Sequence, residues 1–168
     1  MNAALLLKSH ENISFIFIGR GSRKQEIVEF IISNNLSNIK IFDFQPENIF
    51  PYSIAISDIS IVTIENQFEN LMIPSKLFSY LAIGSPIISI SSSRCEIANI
   101  IDNAKCGYVV DYGDSKKLSK IILELYSNNI KFESLKKNSL SYVNKYHSKE
   151  HALNVILKKI NYIFDEIN

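Results

Sequence analysis

The sequence predicts an α/β fold, a mostly parallel sheet covered by helices on both faces, and three observations carry that expectation. Short β-branched runs recur along the chain, they alternate with segments of helical periodicity, and they are apolar on both faces rather than on every second residue. A chain of 168 residues with 46% hydrophobic residues is sized for one domain, taken here as residues 1–168.

The strands are expected at residues 13–18 (ISFIFI), 39–42 (IKIF), 59–64 (ISIVTI), 86–90 (PIISI) and 107–110 (GYVV). After the first strand, Ser22 and Gln25 form a capping-box signature ahead of Ile27, Phe30 and Ile31 on one face, and Asn34 and Asn35 supply the stop. Pro74-Ser75-Lys76 opens a helix that Gly84-Ser85-Pro86 closes into the next strand. Ser93 and Glu96 repeat the box signature. Asp114 or Ser115 caps a helix whose Leu118, Ile121, Ile122 and Leu125 fall on one buried face. From about residue 131 to 168 the pattern is purely helical: one segment near 131–145, then a long one with Leu153, Ile156, Leu157, Ile160, Ile163, Phe164 and Ile167 on one stripe. These helices are expected to pack back on the sheet or on something outside this chain.

Composition excludes several functions. With 18 Lys+Arg against 17 Asp+Glu the net charge is +1, so a protein that draws its affinity from nucleic-acid phosphates is not expected. Ten Phe and eight Tyr are spread through core-like positions and form no stacking stripe. Cys95 and Cys106 are too few for a zinc site and read as small structural residues. His10, His147 and His151 have no acid or Cys at triad spacing and read as solvated positions. The N-terminal MNAALLLKSHEN lacks the layout of a signal peptide, and no apolar run approaches membrane-spanning length, so a cytosolic location is expected.

In a Rossmann-like sheet, ligands bind at the carboxyl ends of the strands, where helix N-termini favour anions. Three loops stand there. Gly19-Arg20-Gly21-Ser22 allows close backbone approach and adds a fixed charge, the alternative being a tight strand-to-helix turn. Ser75 and its neighbouring amides can hold a phosphate with Lys76 as a point charge, whereas Pro74 also reads as ordinary capping grammar. Ser91-Ser92-Ser93 with Glu96 reads as a cap more readily than as a site. Asp111 and Asp114 around Gly113 read as a turn.

The run IPSKLFSYLAIGSPIIS (73–89), preceded by SDISIVTI (57–64) and followed by Glu96 and AKCGYVVDYGDSKKLSKIILEL (104–125), resembles the C-terminal domain of family-4 GT-B glycosyltransferases. It is similar above all to bacterial enzymes of colanic-acid, capsule and O-antigen synthesis, over about residues 3–128. The resemblance implies a domain that binds a nucleotide-sugar donor, a UDP-sugar first, without a required metal or other cofactor, while a separate domain binds the acceptor. It implies that Gly19, Arg20, Gly21 and Ser22 approach the donor and that Phe44, Gln45 and Pro46 lie near the base. Pro74, Ser75, Lys76 and Ser79 would meet ribose and diphosphate, and Ser92, Ser93 and Glu96 would line the phosphate or sugar side.

Three departures from the family pattern are visible. Its paired glutamates fall here on Leu71 and Ser79, leaving Glu69 or Glu65 as substitutes for the first, with Glu69 the one candidate for a catalytic carboxylate. The family's opening strand is expected ahead of Met1 and so outside residues 1–168, which would leave strands 13–18 and 59–64 without their shared neighbour. The acceptor domain is likewise expected outside these residues. The expected partners are therefore the nucleotide-sugar and an acceptor-binding domain or partner chain. Self-association through the open surface and peripheral association with the inner face of a membrane are further expectations. A non-catalytic remnant or one subunit of a split transferase is the alternative to a donor-binding half.

Overall fold

The computed structural model describes residues 1–69 and 71–167, the last three of these as backbone alone. In chain order it runs α1 (Asn2–Leu6), β1 (Phe15–Ile18), α2 (Lys24–Asn34), β2 (Ile39–Phe42), α3 (Phe50–Ala55), β3 (Ser60–Thr63), α4 (Lys76–Ala82), β4 (Ile87–Ile90), α5 (Glu96–Ala104), β5 (Gly107–Val110), α6 (Ser115–Ser127), α7 (Asn129–Tyr146) and α8 (Lys149–Ile167). A single 3₁₀ turn, Asn66–Phe68, interrupts the loop between β3 and α4.

All five expected strands are present. Three start later than expected, and β3 also ends one residue earlier; for two the reason is plain, since the Ile13 amide bonds the His10 carbonyl at 3.0 Å in a turn rather than joining a ladder, and Pro86 has no N–H to give. Every pairing is parallel. β1 lies beside β2 with Phe15 opposite Ile39, and β4 lies between β3 and β5 with Ile87 opposite both Ser60 and Gly107. The two groups form separate ladders, β1-β2 and β3-β4-β5, so β1 and β3 are not bonded to each other.

Side-chain alternation along the strands builds the layers. Ile87 and Ile88 are both fully buried yet sit in different clusters, because successive strand residues point to opposite faces. On one face Val62, Ile64 and Ile87 meet Leu77 and Leu81 of α4 and Ile97 and Ile101 of α5. On the other, Ile88 and Val110 meet Leu118, Ile121, Ile122 and Leu125 of α6, the face its spacing predicted. A third cluster joins Ala4, Leu36 and Ile39 to Phe17, Ile27, Phe30 and Ile31, so α2 covers the β1-β2 pair. Each fully buried Leu or Ile stabilises by about 1.5–3 kcal/mol relative to exposure.

The long helices behave differently from each other. α7 packs back on α4, and Ser139 donates to the Ser85 carbonyl at 2.8 Å. α8 touches α7 but leaves its stripe from Leu153 to Phe164 exposed, with Ile156 at 54% and Ile160 at 42% exposure.

Two of the expected caps are not made. α2 starts at Lys24 with Arg23 as N-cap and no side-chain cap bond, because the turn is closed by Lys24 N–H on the Gly21 carbonyl at 3.1 Å, which puts Ser22 outside the helix. Gln25 then faces Glu29, to which it donates at 3.0 Å. α5 starts at Glu96 with extended Cys95 as N-cap, so Ser93 is two residues too early to cap it. Asn35 does end α2, in the left-handed conformation at φ 48°. The Asp114 cap is made: its Oδ1 accepts from Lys117 N–H at 2.9 Å. Asp114→Ala is expected to cost about 1 kcal/mol. A thermal melt would then fall by roughly 2–4 °C.

Candidate functional site

The loops that follow the strands gather in two groups. In the first, Gly19 takes φ 143°, a conformation that side chains rarely adopt, and donates its N–H to the Phe42 carbonyl at 3.1 Å. Arg20, Gly21 and Ser22 follow, all exposed. Lys24 at the start of α2 pairs with Asp43 after β2 at 2.7 Å, and this hydrogen bond and charge hold the Asp43 carboxyl below the usual carboxylate range. Gln45 folds back to donate to the Asp43 carbonyl at 2.8 Å, which leaves the Phe44 ring 63% exposed beside it. An exposed aromatic on a short, tied loop is a surface on which a planar group can stack.

The second group follows β3, β4 and β5. Ser75 is the N-cap residue of α4 and makes no side-chain cap bond, while its carbonyl accepts from Phe78 N–H at 3.1 Å. Pro74 is half-buried, Ser75 and Lys76 are exposed, and Ser79 lies half-buried one turn further on. Among the described residues Lys76 makes no ion pair. After β4, Ser91 is fully buried with its hydroxyl 2.7 Å from that of Ser89, Ser92 is half-buried, and Ser93 is exposed. Glu96 points along α5 to accept from Asn99 at 3.2 Å.

The carboxylates in the β3 loop have different surroundings. Glu65 is exposed and accepts from Gln67 at 2.8 Å, beside an open depression of about 470 Å³ lined by Glu65, Asn66 and Gln67. Glu69 is buried, and its Oε1 accepts from the Ser92 N–H and from the Tyr112 hydroxyl, the latter at 2.7 Å. Tyr112 is the residue that sequence reasoning missed. It lies between Asp111 and Gly113 in a turn that was expected, closed by Asp114 N–H on the Asp111 carbonyl at 3.1 Å. Burial first and the Glu69 carboxylate second push its phenol above the ordinary range.

Arg23, after the Gly19 loop, feels the charge of Glu65 in addition to its own pair with Glu26 at 2.9 Å. The expected residues follow the carboxyl ends of the strands in these two groups, with Ser22 and Ser93 as exposed loop residues rather than caps and Glu96 turned to its own helix. His147 is exposed as expected, with its ring 4.7 Å from that of Phe78 on α4. Both cysteines are buried, and burial pushes the Cys106 thiol up to about 11. Among the described residues no helix is long and apolar enough to cross a membrane.

A parallel sheet with helices on both faces, loops gathered at the carboxyl ends and two trailing helices define the fold of the GT-B glycosyltransferases. Solved structures share it. WaaG, a glycosyltransferase involved in lipopolysaccharide biosynthesis, superposes with a TM-score of 0.72 at 15% identity over 95% of this chain and 41% of its own. TarM gives 0.74 at 17% identity over 94% of this chain and 30% of its own. The C-terminal domain of a glycosyl transferase group 1 family protein, LpcC from Francisella tularensis, gives 0.69 at 18% identity over 88% and 76%.

The chain belongs to the glycosyl transferases group 1 family, whose model matches residues 2–141. It is 26% identical over 123 residues to a probable glycosyltransferase, WbjE, of Pseudomonas aeruginosa, a match covering 73% of this chain and 31% of that protein. The chain thus spans about a third of the length of that curated relative.

Proposed function

We propose that this chain is the donor-binding domain of a glycosyltransferase of bacterial surface-polysaccharide synthesis, working on the cytoplasmic side with a nucleotide-sugar, a UDP-sugar first. The observation that carries the reading is the start of α4, where exposed Ser75 and Lys76 stand at the carboxyl end of the sheet within the matched segment. In this reading the diphosphate lies against Ser75, Lys76 and the first amides of α4, the base against Phe44 and Gln45, and the ribose near Ser79.

The chemistry follows from where charge grows. As the bond between sugar and diphosphate breaks, negative charge develops on the leaving phosphate oxygens, and a fixed cation with free amide donors stabilises it most at that moment. In this reading Lys76 supplies the charge, and the exposed Arg20 after β1 adds a second. No residue of this chain is assigned as acid, base or nucleophile, and the acceptor is held by another domain or chain, so the isolated chain is not a competent transferase.

The separate ladders favour a second reading. β1 and β3 each keep an unbonded side, and a polar edge left open is a template for another strand. A subunit of a split transferase that completes its sheet with a partner chain fits that feature.

Titration with UDP, followed by amide shifts in NMR spectra, tests the first reading. Saturable shifts are expected in residues 19–22 and 74–79, and Lys76→Ala is expected to weaken binding roughly tenfold, the scale of one charge-assisted hydrogen bond. A dispersed spectrum with no shifts overturns donor binding by this chain and leaves the second reading.

A further inference from the structure

Glu69 is 5% exposed, in a place where a carboxylate is uncommon and costly unless its oxygens are satisfied. Among the described residues it has no cationic partner. Its donors are neutral and come from two other loops: the Ser92 N–H, just after β4, and the Tyr112 hydroxyl, just after β5. The Tyr112 oxygen also lies 2.6 Å from the Ile64 carbonyl at the end of β3. One phenolic proton thus stands between two acceptors, and the three strand ends are tied at one point. These donors, Ser92 first, hold the Glu69 carboxyl below the usual range, so it is charged at neutral pH.

The location gives this tie a consequence for the start of α4. Glu69 lies five residues before Pro74 in the loop that leads into α4, so anchoring it fixes where the loop ends and α4 begins relative to Ser92 and Ser93. The same carboxylate takes the Ser92 amide, which would otherwise be a free anion donor, and places a negative charge beside it. A phosphate is repelled from that side and an uncharged hydroxyl is not.

We propose that Glu69 is a positioning residue: it clamps the loop before α4 to Ser92 and Tyr112, holds the start of α4 in register for a diphosphate, and reserves the Ser92–Ser93 side for neutral hydroxyl groups. The inference rests on the donor-binding reading, and its test has one part that needs no ligand.

Hydrogen exchange on the free chain reads the clamp directly, and UDP affinity reads its use. Glu69→Ala is expected to speed exchange at the Ser92 amide and at residues 66–69, 71–73 and 75 by roughly tenfold or more, with the β4 amides unchanged. UDP affinity should fall by roughly fivefold or more in the same variant. Glu69→Gln keeps the shape and an acceptor oxygen, and should restore both to within about twofold. Tyr112→Phe keeps the ring and removes one donor, so it should shift both readouts in the direction of Glu69→Ala, by less.

Exchange that rises equally at Ile88 in β4 would show a merely structural carboxylate and overturn the inference. So would a loosened loop with unchanged UDP affinity. Wild-type chain that binds no UDP overturns the donor reading and the ligand role with it, and the exchange pattern then tells whether the clamp itself also failed.

Discussion

Gly107→Ala is expected to prevent the domain from folding. A Cβ at residue 107 would stand 1.7 Å from the Ile87 carbonyl oxygen and 2.6 Å from its carbon, distances far inside van der Waals contact. The obstacle is backbone of the central strand, so no side chain can swing aside. β5 would have to withdraw from β4 by more than an ångström at the first residue of their ladder, where Ile87 N–H bonds the Cys106 carbonyl at 3.0 Å. Both faces there are packed, with Cys106 and Ile87 fully buried, so withdrawal opens the core as well. A domain has about 5–15 kcal/mol of stability in total, and a displaced ladder with a voided core removes much or all of it. Circular dichroism and proton NMR dispersion of the purified variant check this, and a wild-type melting profile would contradict it.

Leu77→Ala should produce the second-largest change, and it separates stability from binding chemistry. Leu77 has no exposed surface and lies in the cluster between α4 and the β3-β4-β5 face. Truncating it removes transfer free energy and leaves a cavity, at a cost of about 2–5 kcal/mol. The midpoint of a thermal melt should fall by roughly 2–4 °C for each kcal/mol lost. Its neighbour Lys76 is exposed, and Lys76→Ala should leave the midpoint where it is while weakening UDP. Measured side by side, the two adjacent variants should show opposite patterns. A Leu77→Ala chain that melts with the wild type would mean that α4 is held by something other than this cluster.

The sheet was legible in the sequence because a central parallel strand buried on both faces needs a nearly continuous apolar run, and Ile87, Ile88 and Ile90 supply one, while the shorter runs at 39–42 and 107–110 repeat the signal with Lys40 and Gly107 within them. α6 was legible for the matching reason, since Leu118, Ile121, Ile122 and Leu125 recur at one face's spacing and Asp114 stands at its start. The Ser22 and Ser93 caps were misread because the box pattern records only residue types three apart. Where the helix begins is settled by the turn before it, here closed on Gly21 for α2 and by extended Cys95 for α5. The tie between Glu69, Ser92 and Tyr112 joins residues 23 and 43 positions apart, and no local pattern encodes such a contact. The exposed positions of Ser75 and Lys76 were readable, because a Pro-Ser-Lys start after a polar loop has few other places to go in this fold.

The first helix has a consequence for the order in which the domain folds. α1 is five residues long and has no side-chain cap, too short to persist by itself. It is held from both sides: Ala4 enters the cluster under α2, while Ala3 and Leu7 join the cluster of α6, and the Ala3 carbonyl accepts from Ser119 at 3.5 Å. Residues 2–6 therefore depend on a surface supplied by a helix more than a hundred residues further along the chain. The contacts that seat α1 form only once α6 is in place, a long-range closure, so α1 is expected to be among the later elements to order when the domain folds.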